Sequence, residues 1–248
     1  MMDIATYEAE AKVEATHWWF KGRRRLFGRE IGKLQLDPGA SILDVGTSTG
    51  TNLRMLKSLG FRNVTGLDSS PEAIRYCAEK DLGTVQQGDI CNLPFPDATF
   101  DLILATDIIE HVDEDATALL ELSRALRPGG HILITVPAFQ SLWGLQDDVS
   151  HHKRRYRKQS LNTAISIAGL TPQKSYYFNF VLFGPIWLAR RLIRATRPNL
   201  KSENELNNPA INAVLTTIFE IDCRVAPLIH APFGVSALTL AQRPASAS

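Results

Sequence analysis

Between residues 41 and 136, short apolar runs alternate with segments of helical period, and this alternation limits the possible folds more than any other feature of the chain. Residues 41–45 (SILDV), 63–67, 84–87, 100–105 (FDLILA) and 130–136 (GHILITV) read as strands. Nearly continuous apolar strands belong to parallel sheets covered on both faces. Residues 51–59, 70–80 and 113–126 have helical spacing. Gly60 ends the first of these, and Ser70-Pro71 caps the second with proline at its first position. Strands alternating with helices predict an α/β fold. Beyond Pro137 the text changes: 138–149 reads as a loop, 156–168 as a helix stopping at Gly169, and 171–180 as an aromatic strand. Residues 181–230 read as helical and apolar, with Arg190, Arg191, Arg194 and Arg197 near the middle; 234–242 reads as a last strand and 243–248 as a frayed tail. The first forty residues precede the sheet and read as helical.

A chain of 248 residues, 44% hydrophobic, suffices for one domain with an elaboration. Its charge is uneven. Residues 1–150 carry 14 basic and 22 acidic side chains, a net −8, whereas 151–248 carry 13 and 4, a net +9. Such a split predicts that the second part faces something anionic. Cys77, Cys91 and Cys223 form no CxxC, which argues against a disulfide scaffold or a zinc site and fits a reducing compartment. No basic segment followed by an apolar run opens the chain, so no signal peptide is expected. The apolar stretch 178–189 falls short of the roughly 20 residues of a membrane span. The expected location is cytoplasmic, at most peripheral to a membrane.

The central motif is Asp44-Val45-Gly46-Thr47-Ser48-Thr49-Gly50. A strand entering a glycine-rich turn at a helix N-terminus brings backbone close to a ligand. Nicotinamide enzymes use GxGxxG there to seat a pyrophosphate. Here the spacing is GxSxG and an acid ends the first strand; that acid would repel a pyrophosphate and suit a cationic or amino-bearing ligand.

At this point residues 42–53 (ILDVGTSTGTNL) resemble the first motif of class I S-adenosylmethionine-dependent methyltransferases, which usually reads DxGxGxG; Ser48 replaces the middle glycine. Later spacings agree. Asp68 ends the second strand, where a carboxylate can accept both hydrogen bonds of a ribose diol. Asp89 follows the third, residues 105–112 (ATDIIEHV) follow the fourth, and Leu126-Arg127-Pro128-Gly129-Gly130 precedes the fifth. The resemblance covers 41–136 strongly. It implies a Rossmann-like, doubly wound, seven-stranded sheet, mostly parallel, with an antiparallel last strand near 234–242 and a helical insertion before it. The implied units are an N-terminal helical lid (1–40), a methyltransferase core (41–178 and 231–248) and an insertion (179–230) for acceptor binding or an interface. By the same resemblance, Gly46, Thr47, Ser48 and Gly50 wrap the methionine part of S-adenosylmethionine, with Asp44 near its ammonium. Asp68 holds the ribose beside Ser69, Asp89 and Ile90 flank adenine, and Thr106 and Asp107 line the floor under the sulfonium. The segment His17-Trp18-Trp19-Phe20-Lys21-Gly22-Arg23 is similar to an aromatic lid in some of these enzymes, in which Trp18 or Trp19 would close the pocket and Arg23 would reach a carboxylate. The alternative is an amphipathic helix packing its aromatics on the domain.

Methyl transfer needs a positioned acceptor and, for a neutral one, a base. His151-His152-Lys153-Arg154-Arg155-Tyr156 lies past the fifth strand, on a segment expected to overhang the crevice at the strands' carboxyl ends. His152 oriented by Asp147 or Asp148 is the candidate base, and His111 is its rival. His151, Arg154, Arg155, Tyr156 and Trp143 are the candidate acceptor contacts, the arginines suiting an acidic acceptor. A solvated basic helix start is the plain alternative. No metal-ligand spacing is visible and no metal is expected. The expected reaction is O-methylation of a small or lipid-like anionic acceptor, with S-adenosylhomocysteine as product. N- or C-methylation of a natural product and a non-catalytic cofactor-binding module are the alternatives. A nicotinamide dehydrogenase would want GxGxxG and no acid at 44. There is no NPPY-like tetrapeptide after the fourth strand, which argues against nucleic acid as substrate. The 179–230 region also suits anionic lipid or a homodimer contact.

Overall fold

The computed structural model describes residues 11, 14–196 and 209–245; expectations for 1–10, 12, 13, 197–208 (Arg197 among them) and 246–248 lie outside the described residues. A first helix, α1 (Trp18–Gly32), precedes β1 (Ser41–Val45), α2 (Thr51–Ser58), β2 (Asn63–Asp68), α3 (Pro71–Glu79), β3 (Thr84–Gln87) and β4 (Phe100–Thr106). Then come α4 (Asp115–Ala125), β5 (Leu126–Pro137), α5 (Leu145–Val149), α6 (Lys158–Ile167), β6 (Thr171–Phe178), α7 (Phe183–Thr196), α8 (Pro209–Ile229) and β7 (Ser236–Gln242). The strands form one sheet in the order β3-β2-β1-β4-β5-β7-β6. Strand β7 alone runs opposite to the other six, pairing antiparallel with both β5 and β6, and α7 and α8 form the insertion that precedes it, as the sequence predicts.

Side chains alternate across each strand, so the two faces build separate cores. Leu43, Val45, Ile103, Ala105, Ile132 and Ile134 pack under Leu119 and Leu122 of α4 and Leu161 and Ile165 of α6. Ile42, Leu102, Leu104 and Leu133 point the other way, against Leu26, Phe27 and Ile31 of α1, Leu56 of α2 and Phe219 of α8. Burial on both faces is why β1 and β4 read as unbroken apolar runs. Helices α1 and α8 approach closely at Gly22, where a Cβ would stand 2.1 Å from the Phe219 ring.

Several boundaries differ from the sequence reading. Strand β5 begins at Leu126, so Pro128-Gly129-Gly130 lies inside it, in the register shift that separates the Phe100–Leu126 and Leu102–His131 pairs. The 138–149 segment is not simply a loop: it holds a 3-10 turn (Gln140–Leu142) and α5. Strand β6 stops at Phe178 because Asn179 turns into positive φ, +58°. Among the described residues no helix is long and apolar enough to cross a membrane. Strand order reverses on either side of β1, which has β2 on one edge and β4 on the other. In such sheets a crevice opens at the carboxyl ends of the two strands that flank the reversal.

Candidate active site

A cavity of about 1520 Å³ occupies that crevice. One end is built by the β1–α2 turn. Gly46 (φ +72°), Ser48 (φ +50°) and Gly50 (φ +83°) give the turn its left-handed residues. Gly50 also has no room for a side chain: a Cβ would lie 2.2 Å from Leu82 and 2.9 Å from the Cys77 sulfur. The turn is tied to β2 by the Gly46 amide, which donates to the Leu67 carbonyl at 2.8 Å, and by the Ser48 amide, which donates to Asp68 Oδ2 at 2.9 Å. Asp68 Oδ1 accepts the Ser70 amide at 2.9 Å. Gly46, Thr47, Ser48, Asp68, Ser69, Asp89, Ile90, Thr106 and Asp107 all line the cavity. Asp89 Oδ1 accepts the Cys91 amide at 2.9 Å.

Asp44 does not line the cavity; it is fully buried just behind Asn52, which does. The Asn52 amide donates at 3.0 Å both to Asp44 Oδ1 and to Thr106 Oγ1. Asp44 Oδ2 has no partner. Burial, with a smaller push from Asp68, raises this carboxyl to about 7, against the Asn52 bond and Arg23. A buried carboxylate one oxygen short of satisfaction, beside a glycine cradle, suits a ligand with a positive group. These residues therefore fit S-adenosylmethionine.

The N-terminal segment covers this end. Glu14 accepts hydrogen bonds from Thr49 Oγ1 and from Lys80 Nζ. Trp18 and Trp19 line the cavity, yet both are packed: Trp18 meets Phe219 edge-on at 5.2 Å, and Trp19 stacks on Phe219 at 5.2 Å and Phe178 at 6.0 Å. Arg23 lies against the Trp19 and Phe27 rings and pairs with Asp107 at 2.5 Å. The carboxylate it reaches in this structure is thus the chain's own.

The other end carries the histidines. His152 Nδ1 lies 2.8 Å from Asp147 Oδ1. Of the two acids weighed as its partner, Asp148 instead accepts Trp143 Nε1 at 2.7 Å. Asp147 is fully buried and also receives Arg155 through two 2.8 Å bonds and the Gly144 amide at 2.7 Å. His152, Arg155 and that amide hold its carboxyl far below the usual range, although burial alone would raise it. His111 packs edge-on to His152, ring centroids 4.6 Å apart. Burial, then His152, lowers His111 to about 4, so it is neutral at pH 7. Glu110, fully buried, also lines the cavity, and neither of its carboxylate oxygens has a hydrogen-bond partner.

His151, His152, Lys153 and Arg155 of the basic segment line the cavity, whereas Arg154, Tyr156 and Trp143 do not. Arg154 turns away to the Asp113 carbonyl and Asp115 at 2.8 Å each, and the Tyr156 hydroxyl donates to Asp115 at 2.5 Å. Trp143 sits with Trp187, Arg190, Arg191 and Arg194 on a separate small concavity. Arg155 is committed to Asp147 and to the Ala138 carbonyl (2.9 Å). Residues not singled out from the sequence also face the cavity: Asn52, Glu110, Asn179, and Ile186, Ala189 and Ile193 of α7. Asn179 is buried with both side-chain amide atoms unpartnered. A lone polar residue between aromatics, Phe178-Asn179-Phe180, is the only sequence trace of it.

Residues 43–134 match the family model described as a methyltransferase domain. The malonyl-[acyl-carrier protein] O-methyltransferase of Serratia marcescens is 35% identical over 120 residues, 48% of this chain and 47% of that enzyme. Across the curated relatives, the aligned part spans about a third to a half of their length. Phosphoethanolamine N-methyltransferase 2 of Haemonchus contortus, solved with S-adenosyl-L-methionine, is similar in fold (TM-score 0.59, 19% identity, 88% of this chain and 52% of that one). So is the [4+2]-cyclase SpnF (TM-score 0.60, 20% identity, 92% and 83%). Sheet order, glycine turn and strand-end acids together define the class I S-adenosylmethionine-dependent methyltransferase fold. Residues 43–134 match the model of that family's domain, and the chain as a whole shares the fold of the solved structures.

Proposed function

We propose that the protein transfers a methyl group from S-adenosylmethionine to an oxygen of a small acceptor that is largely apolar and carries a negative or polar group. One observation carries this reading: a single cavity joins the Gly46–Asp68–Asp89 end to the His152–Asp147 pair. Bound at the first end, S-adenosylmethionine supplies an electrophilic methyl group, whose transfer forms a C–O bond, breaks the methyl–sulfur bond and leaves the electron pair on the neutral thioether S-adenosylhomocysteine.

The chain's own residues do the positioning. Asp68 and Asp89 offer carboxylate oxygens to the ribose and the adenine amino group, beside Ser69 and Ile90. Gly46, Thr47, Ser48 and Gly50 shape the turn around the methionine part, with Asp44 as counter-charge behind Asn52. Thr106 and Asp107 form the floor. Asp147 fixes His152 with Nδ1 protonated, which leaves Nε2 able to take the acceptor's proton. Ile186, Ala189, Ile193 and Leu215 give the acceptor end an apolar wall, and Asn179 and Arg190 give it polar points. That wall suits a lipid-like acceptor as well as a small aromatic one.

SpnF, a cyclase on the same fold, supports a second reading in which the cofactor is bound but no methyl group moves. Calorimetry with S-adenosylmethionine and NAD, followed by mass spectrometry for S-adenosylhomocysteine against a panel of phenols, carboxylic acids and lipid-linked acids, decides between them. Cofactor-dependent product supports methyl transfer. Tight binding with no product from any acceptor supports the second reading.

A further inference from the structure

We propose that Glu110, His111 and His152 form a binding site for a first-row divalent metal ion at the acceptor end of the cleft. Each offers one ligand atom, and the three atoms lie within 4.8 Å of one another. Ligands held at 2.0–2.1 Å in a tetrahedral set stand roughly 3.4 Å apart, so small side-chain rotations close the site. Two features point to a cation. Glu110 is fully buried with both oxygens unpartnered, and buried carboxylates are ordinarily paired or bound to metal. His152 has its Nδ1 already bonded to Asp147, which leaves Nε2 as the ligand atom and supplies the carboxylate–histidine support typical of metal-bound imidazoles. Asp147 is itself fixed by Arg155 and the Gly144 amide, so the imidazole's direction is set before any ion arrives.

Two imidazoles and one carboxylate favour borderline ions such as Zn²⁺, Co²⁺ or Fe²⁺ over Mg²⁺ and Ca²⁺, which prefer all-oxygen sets. All three residues line the cavity, so the remaining coordination positions open toward the acceptor. A hydroxyl oxygen bound there is held in place and releases its proton to solvent more readily. His152 then serves as a ligand and not as the base. This use of the site rests on the methyl-transfer reading; the binding of the ion does not.

The test uses the full chain, stripped with chelator and titrated with Co²⁺ by visible absorption and with Zn²⁺ by calorimetry. The expected result is one equivalent bound, with affinity reduced at least tenfold in Glu110→Gln and in His111→Gln. Glu110→Gln keeps the side chain's size and breaks no side-chain hydrogen bond, so the variant should fold, and thermal melts verify it. No stoichiometric binding, or binding indifferent to both substitutions, overturns the site. Cofactor affinity is measured in parallel. If Co²⁺ binds and S-adenosylmethionine does not, the metal site stands and the methyl-transfer reading fails; the reverse result sinks the metal site alone.

Discussion

The Ser48 amide donates a 2.9 Å hydrogen bond to Asp68, so the acid at the end of β2 holds the glycine turn of β1 in shape. The same carboxylate accepts the Ser70 amide at the start of α3. Asp68 is therefore a brace as well as a candidate ribose ligand. Asp68→Ala should lower S-adenosylmethionine affinity at least tenfold and cost about 1–3 kcal/mol of stability, the usual range for buried charge-assisted hydrogen bonds. Calorimetry and denaturant unfolding would show it; unchanged affinity would remove Asp68 from the cofactor site.

His152→Ala should reduce turnover by about 10²-fold or more, whether the imidazole acts as base or as ligand, while cofactor affinity stays within twofold. Added metal separates the two roles. If His152 is only a base, product formation by the wild-type protein is indifferent to chelator.

Asp44 should make cofactor binding depend on pH. Its folded value, near 7, is raised above the ordinary carboxyl value of 3.8, chiefly by burial. Between those values the folded protein holds a proton that the unfolded chain has lost, so this group makes stability fall as pH rises toward 7, with no further change above. A cationic ligand favours the ionised form. S-Adenosylmethionine affinity should therefore rise between pH 6 and pH 8, with proton release greatest near pH 6. Calorimetry in buffers of different ionisation enthalpy measures that release, and Asp44→Asn should abolish it.

Gly22→Ala should destabilise the contact between α1 and α8. The added methyl would enter the Phe219 ring, which is wedged against Trp18, Trp19 and Phe178. Overpacking of this kind costs about 1–3 kcal/mol. Urea denaturation should record the loss, and Trp fluorescence should report the disturbed stack.

Asn179 presents two unpartnered amide atoms in the acceptor end at φ +58°. Asn179→Gly keeps that backbone accessible and deletes the amide. Steady-state kinetics should give a raised acceptor KM, several-fold or more, with kcat nearly unchanged. An unaltered KM would take Asn179 out of acceptor binding.

Much of the cofactor end was legible from local patterns. The apolar runs, the helix stops, the glycine turn and the acids closing β1 and β2 each sit within a short stretch of sequence, although the turn itself is braced by Leu67 and Asp68 of β2. The acceptor end was not legible in that way. Glu110 and His111 follow β4, while His152 follows β5, and only the closure of the sheet brings their side chains together. Nor does spacing reveal that Arg155 is spent on Asp147, or that Arg154 and Tyr156 turn to Asp115. The sequence by itself determined the order of elements and the backbone turns, because periodicity and φ preference are properties of neighbouring residues. Tertiary structure alone decided which side chains share the cleft and which buried charges find partners, because those pairings depend on the packing of distant segments.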